Sequence, residues 1–191
     1  VNPSGRLPMT FPVKLDDVAA HNHGAYPGTK RGDENIWDVT YEEGILTGYR
    51  WHDARAIKPL FPFGHGLSYT SFAYGRPTLS SAELKSSVTA SLNPEDLAAA
   101  TPITVTVPVT NTGDVAGSET VQLYLSDNAP VDAEGKPLVR APKELKGFQK
   151  IALAPGETGT VTFTITPEQL AWFDAGAHKW TVHPGEYTAH I

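Results

Sequence analysis

Three stretches in the second half of the chain alternate strictly between apolar and polar side chains. Ile103, Val105, Val107 and Val109 are separated by Thr104, Thr106 and Pro108. Val121, Leu123 and Leu125 alternate with Gln122, Tyr124 and Ser126, and Val161, Phe163 and Ile165 alternate with Thr160, Thr162 and Thr164. A period of two sends successive side chains to opposite faces, so each stretch predicts a strand with one side buried and the other wet. Turn chemistry separates them: Asn111-Thr112-Gly113-Asp114, Asp127-Asn128-Ala129-Pro130, Pro155-Gly156 and Pro184-Gly185. Pro108 has no N–H to give to a ladder, so its strand is expected at a sheet edge or with a bulge.

Weaker runs at Ser87–Leu92, Glu144–Ile151, Leu170–Phe173 and Lys179–Val182 bring the total to about seven strands over roughly 115 residues. That size and count predict a mainly β fold, an immunoglobulin- or fibronectin-III-like sandwich, over 76–191. The one helix candidate there is Pro94–Ala100, with Asn93 as N-cap and Pro94 at the first helical position.

Residues 1–75 lack sustained periodicity. Asn22–Asn35 reads as a polar, glycine-containing loop, and a loop that long is either functional or packed on something larger. Ile45, Tyr49 and Trp51 form one apolar stripe that fits either a strand or a helix. This segment is expected not to fold alone.

Composition narrows the function classes. Fifteen Lys and Arg stand against 21 Asp and Glu, a formal charge of −6 over 191 residues, which argues against a nucleic-acid partner. No apolar run approaches the roughly 18 residues of a membrane helix. With no Cys, disulfides, thiolate metal sites and a cysteine nucleophile are excluded. The chain starts Val1-Asn2-Pro3-Ser4 and stops inside the alternating run Tyr187–Ile191, so a fragment of a longer protein is expected.

Three groups of residues together resemble the C-terminal end of glycoside hydrolase family 3, the β-glucosidases, β-xylosidases and related exo-acting enzymes. The first is Asn2-Pro3-Ser4-Gly5-Arg6-Leu7-Pro8-Met9-Thr10-Phe11-Pro12. The second runs from Tyr41-Glu42-Glu43-Gly44-Ile45 through Gly48-Tyr49-Arg50-Trp51 to Leu60-Phe61-Pro62-Phe63-Gly64-His65-Gly66-Leu67-Ser68-Tyr69-Thr70. The third is Val109-Thr110-Asn111-Thr112-Gly113, then Glu144–Lys150 and Leu153-Ala154-Pro155-Gly156-Glu157. Their order and spacing cover nearly the whole chain.

The resemblance implies that 1–75 is the last piece of the family's α/β sandwich domain plus a connector, and that 76–191 is its fibronectin type III-like domain. It implies a retaining exo-acting β-glycosidase as parent, most simply a β-glucosidase, whose barrel and remaining α/β sandwich domains are this chain's partners. Retaining glycosidases need two carboxyl groups about 5–5.5 Å apart. In the family the nucleophilic Asp and the acid/base Glu both come from upstream parts, and neither motif matches a position here. The fragment is therefore expected to support the catalytic domains and to carry no catalytic carboxylate; no cofactor is implied. Relatives with the Asn2–Pro12 run are often periplasmic or secreted. Two other readings stay open: an independent carbohydrate- or surface-binding module, and a subunit that completes the enzyme in trans.

Ser126-Asp127 after the Val121–Leu125 strand echoes the family's nucleophile signature, but Asn128 stands where Trp is usual, and Asp127 reads as a turn residue. Adjacent Glu42 and Glu43 point to opposite faces of a strand and read as structural or exposed, with a place at the rim of a sugar site as the alternative. Asp16 and Asp17 read as a polar turn. His21 and His23 lack the carboxylate or thiol support of a metal site. His65, between Gly64 and Gly66 and close to Phe61, Phe63 and Tyr69, reads as a structural histidine in a packed turn. No G-x-S-x-G occurs, and Tyr69 stands where a dinucleotide motif needs its third Gly.

Aromatic faces stack on the apolar faces of sugars, which singles out four Trp. Trp172 and Trp180 fall in predicted strands and are expected in a core or between domains. Trp37 lies beside Asp33, Glu34, Asn35 and Asp38, a mixture suited to sugar hydroxyls. Trp37, Asp33, Asn35 and Glu42 are the candidate substrate contacts.

Overall fold

The computed structural model describes residues 1–22, 25–83, 101–128, 130–131, 135–182 and 184–191. The predicted strand Ser87–Leu92 and the predicted helix at 94–100 lie outside the described residues, as does His23. The chain forms two compact units. The first comprises Val1–Ser4, Ser68–Val139 and Leu145–Ile191; the second comprises Gly5–Leu67 and Arg140–Glu144.

The first unit is the β-rich one. Its strands are β3 (Phe72–Tyr74), β4 (Thr78–Leu79), β5 (Ile103–Asn111), β6 (Gly117–Asp127), β7 (Glu144–Leu153), β8 (Thr158–Ile165), β9 (Trp172–Asp174), β10 (Lys179–Thr181) and β11 (Tyr187–His190). In one sheet β5 pairs with β8 along one edge and with β3 and β4 along the other; a second sheet has the order β11–β6–β7. The alternation read from the sequence is the burial pattern. Val105, Val107 and Val109 of β5, Val121, Leu123 and Leu125 of β6, and Val161, Phe163 and Ile165 of β8 form one core with Leu153 and Leu170. The intervening threonines face outward, where their β-branched side chains suit a pleated, half-exposed surface.

Pro108 is handled differently from the expectation. β5 is a central strand, and the bulge lies in its partner. Tyr74 pairs with Val109 and Thr78 with Thr106, so four steps along one chain match three along the other, and Arg76 and Pro77 together oppose Val107. Gly75 N–H donates to the Pro108 carbonyl at 2.8 Å. In an antiparallel strand a residue's N and O point to the same edge. The missing N–H of Pro108 therefore faces the place where β3 and β4 are interrupted, and the proline costs the sheet little.

Leu170 also departs from the strand reading, because it ends a short helix, α3 (Pro167–Leu170). Thr166-Pro167-Glu168-Gln169 starts it: Gln169 Oε1 accepts from the Thr166 N–H at 3.1 Å, and Pro167 occupies the first turn. The strand β9 follows and, among the described residues, pairs with β10 alone. Trp180, expected in a core or between domains, stands 55% exposed. In this two-stranded ribbon Trp172 and Thr181 turn inward, whereas Phe173 and Trp180 share the open face.

Ser68–Tyr74, assigned by composition to the first segment, belong to the β-rich unit. The cause is β3, whose residues Phe72, Ala73 and Tyr74 take their ladder partners from β5.

The second unit holds α1 (Ala19–Asn22), the hairpin strands β1 (Thr29–Lys30) and β2 (Trp37–Asp38), and α2 (Tyr49–Ala54). The Gly5–Pro12 and Leu60–Gly66 runs pair: Leu7 N–H donates to His65 O and Gly64 N–H to Leu7 O, both at 2.8 Å, and Phe11 bridges Phe61. The ambiguous stripe Ile45–Tyr49–Trp51 resolves at its end into α2. Trp51 and His52 of α2 are buried.

Candidate functional site

The segment with the candidate sugar contacts is a tight hairpin. Thr29 pairs with Asp38 and Lys30 with Trp37. Asp38 is held by Arg31 through both guanidinium and carboxylate arms, with Nε to Oδ2 at 3.1 Å and Nη2 on Oδ1. Such a forked pair fixes both side chains in one plane. Arg31 N–H to Ile36 O at 3.0 Å and Glu34 N–H to Arg31 O at 3.2 Å close the tip. Gly28 permits the entry, with φ at +93° and the Asp38 carbonyl 2.4 Å from where a Cβ would stand. Any side chain there would push β1 off β2.

This geometry sorts the candidate residues. Asp38 is occupied by Arg31, whereas Asp33 and Asn35 stand exposed at the tip and Trp37 lies 47% exposed on the strand. Glu42 is not on the hairpin. It sits on the following turn, where Gly44 N–H reaches Tyr41 O at 3.4 Å and Leu46 N–H reaches Glu43 O at 3.0 Å. Glu42 and Glu43 are thus turn residues rather than strand neighbours, yet they differ in burial. Glu42 is exposed; Glu43 is half-buried, with Oε2 enclosed and without a hydrogen-bond partner. Ile36, Val39 and Tyr41 are also exposed. The segment therefore offers indole and phenol faces interspersed with carboxylate and carboxamide acceptors, the combination that binds the apolar face and the hydroxyls of a sugar.

The remaining titratable candidates have structural surroundings. Asp16 and Asp17 form a polar turn, with Asp17 Oδ2 accepting from Lys14 N–H at 3.2 Å. His21 Nε2 lies 3.2 Å from Asp16 Oδ1. No group of three or more His, Cys, Asp or Glu suited to a metal ion occurs among the described residues. His65 packs its ring on Phe61 at 5.1 Å between centroids, and its backbone N–H donates to Pro62 O. Gly66 beside it lies against the Gly5 carbonyl, 2.4 Å from an added Cβ. Asp127 departs from the turn reading: it is the last residue of β6, paired with Tyr187 of β11. The strand runs on because β11 supplies partners as far as Asp127.

Sequence reasoning missed a polar network that joins the three resembling motifs inside the first unit. Asn2 Oδ1 accepts from Tyr69 N–H at 2.8 Å and from Ser68 Oγ at 3.2 Å, and its Nδ2 donates to Ala116 O at 3.0 Å. Asn111 is fully buried; its Oδ1 accepts from Thr70 Oγ1 and Gly113 N–H, and its Nδ2 donates to Val115 O and Leu153 O. An Asn at the inward-facing end of an alternating apolar run was the available signal, because a buried carboxamide must find partners. The exposed ring pair Phe173–Trp180, T-shaped with centroids 5.7 Å apart, was missed too.

Residues 119–191 match the fibronectin type III-like domain family. The chain is 42% identical over its full length to β-glucosidase BoGH3A of Bacteroides ovatus and 45% identical over 98% of its length to a β-glucosidase of Rhizobium radiobacter. It spans 22% and 20% of those proteins, about a fifth of their length. Among solved structures, DesR, a β-glucosidase from Streptomyces venezuelae in complex with D-glucose, superposes with a TM-score of 0.76 at 39% identity, over 98% of this chain and 21% of that one.

Proposed function

Because the chain belongs to glycoside hydrolase family 3 and corresponds to a C-terminal portion of its β-glucosidases, we propose that it serves a retaining exo-acting β-glucosidase as structural support and does not catalyse alone. The observation that carries this reading is the use made of the resembling motifs. Asn2 of the first, Ser68 to Thr70 of the second, and Asn111 to Gly113 of the third are consumed by one hydrogen-bond network. Those residues hold backbone in place, and none of them is a carboxylate poised for acid/base work. The nucleophile and the acid/base would come from the barrel and the upstream α/β sandwich domains of the parent, which this chain's second unit would continue and its β-rich unit would brace.

Within that enzyme, Trp37, Asp33, Asn35 and Glu42 would sit at the rim of the sugar site. Their exposure supports this: the indole face is open, and the three polar groups are not spent on the hairpin's own closure as Asp38 is. A neutral β-glucoside or short oligosaccharide suits this acidic tip better than an anionic sugar. No helix among the described residues is long and apolar enough to cross a membrane; a periplasmic or secreted location is inferred from the family.

The test is an assay of the purified 191-residue chain on a chromogenic β-glucoside, beside the longer protein that contains it. No turnover by the chain and turnover by the longer protein are expected. Hydrolysis by the pure chain at a rate comparable to the longer protein would refute the support reading.

One observation favours a second reading, an independent glycan-binding module. Phe173 and Trp180, in register across β9 and β10 and about half exposed, give the sandwich half an aromatic face. Retention of the chain on insoluble β-glucan, lost in Trp180→Ala, would support it; flow-through of the unaltered chain would remove it.

A further inference from the structure

The second unit is built from two pieces of chain that lie far apart in sequence. Gly5–Leu67 supplies most of it, and the five residues Arg140–Glu144 supply the rest. The first four lie between β6 and β7 of the sandwich, and the fifth, Glu144, begins β7. They are well tied. Ala141 is 6% exposed. Arg140 Nη2 lies 3.6 Å from Glu144 Oε2, with both side chains largely buried. Lys143 Nζ lies 3.4 Å from Asp53 Oδ2 on α2.

Helix α2 is where an outside hold matters. It has only six residues, fewer than an isolated helix needs to form in water. Its N-cap is Gly48, which has no side chain to cap with. What it orders is central to the unit: buried Trp51, whose Nε1 donates to Asp17 O at 3.1 Å, and buried His52, whose Nδ1 lies 3.1 Å from Ile57 O.

We propose that Arg140–Glu144 is a strap: a piece of the sandwich-forming half of the chain that completes the second unit and fixes α2 through Lys143 and Asp53. The strap is independent of the proposed sugar contacts, so its test reads backbone order rather than turnover.

The experiment is hydrogen–deuterium exchange on the whole 191-residue chain, comparing Lys143→Met, Asp53→Asn, the double variant and Lys143→Arg. The reporters are the N–H groups of His52, Arg55 and Ile57, bonded to Gly48, Trp51 and His52 carbonyls. The control is the β5–β8 ladder. A partly exposed ion pair is worth roughly a threefold change in local opening. Each single loss of charge is expected to speed exchange at the reporters about threefold, the double variant no further, and Lys143→Arg to return them to the original rate, with the ladder unchanged. Unaltered reporters in Lys143→Met, additive effects in the double variant, or equal loosening of reporters and ladder would each overturn the proposal. The last outcome would mean that Lys143 holds the sandwich and not the second unit.

Discussion

The hydroxyl of Thr70 donates to the carboxamide oxygen of Asn111 at 2.5 Å, across 41 residues of sequence. The bond links the end of the Leu60–Thr70 motif to the end of β5. Asn111 also bonds Gly113, Val115 and Leu153, so every hydrogen-bonding site of a fully buried side chain is in use.

Replacing Asn111 by Ala should therefore destabilise the first unit by about 2–3 kcal/mol, since it strands buried donors and acceptors as well as removing bonds. Asn111→Asp should be no better, because its carboxylate would face the Val115 and Leu153 carbonyls. Urea denaturation of the chain measures both. A loss below about 0.5 kcal/mol would show that water replaces the carboxamide.

Gly113 cannot be enlarged for the same reason. An added Cβ would lie 2.3 Å from Thr70 Oγ1, so Gly113→Ala should cost about 1–3 kcal/mol through displacement of the hydroxyl. The companion Gly113→Ala, Thr70→Val should be less than additive, as contacting residues are. Full additivity would mean that the clash is relieved elsewhere.

Truncating Leu123 to Ala in the fully buried part of β6 should cost about 3 kcal/mol. Thr162→Ala, on the exposed face of β8, should change stability by less than about 0.5 kcal/mol. Comparing their melting transitions checks which face of the sheet is the core.

Trp37→Ala should leave stability within about 0.5 kcal/mol, because the ring is half exposed. In the longer protein it should raise KM for a β-glucoside while kcat changes less, the signature of lost binding that ground and transition states share. Unchanged KM would remove Trp37 from the proposed sugar contacts.

The sandwich was legible wherever burial and alternation coincide. Val105, Val107 and Val109, Val121 to Leu125, and Val161 to Ile165 each announce a strand, because one face of each meets a hydrophobic core. What escaped reading depends on partners distant in sequence. Pro108 looks like an edge marker until β3 and β4 are seen to break opposite it, and Trp180 fits a core as readily as a place between domains until its ring is seen on the open face of the β9–β10 ribbon. Asn111 looks like the start of a turn, because Thr70 lies 41 residues away. The candidate sugar contacts were legible as a composition of aromatic and acceptor groups. That Asp38 is committed to Arg31 while Asp33 and Asn35 are not could be learned only from the hairpin's register.

The discontinuous second unit bears on how such a chain can be inherited. A recombination joint at any single position between Leu67 and Arg140 would part Gly5–Leu67 from the five residues that complete it. A sandwich grafted from another lineage would have to bring a loop whose lysine meets Asp53. Exchange of this half between related proteins should then disturb the second unit least when both pieces travel together, so that the whole segment behaves as one heritable cassette despite its two compact units.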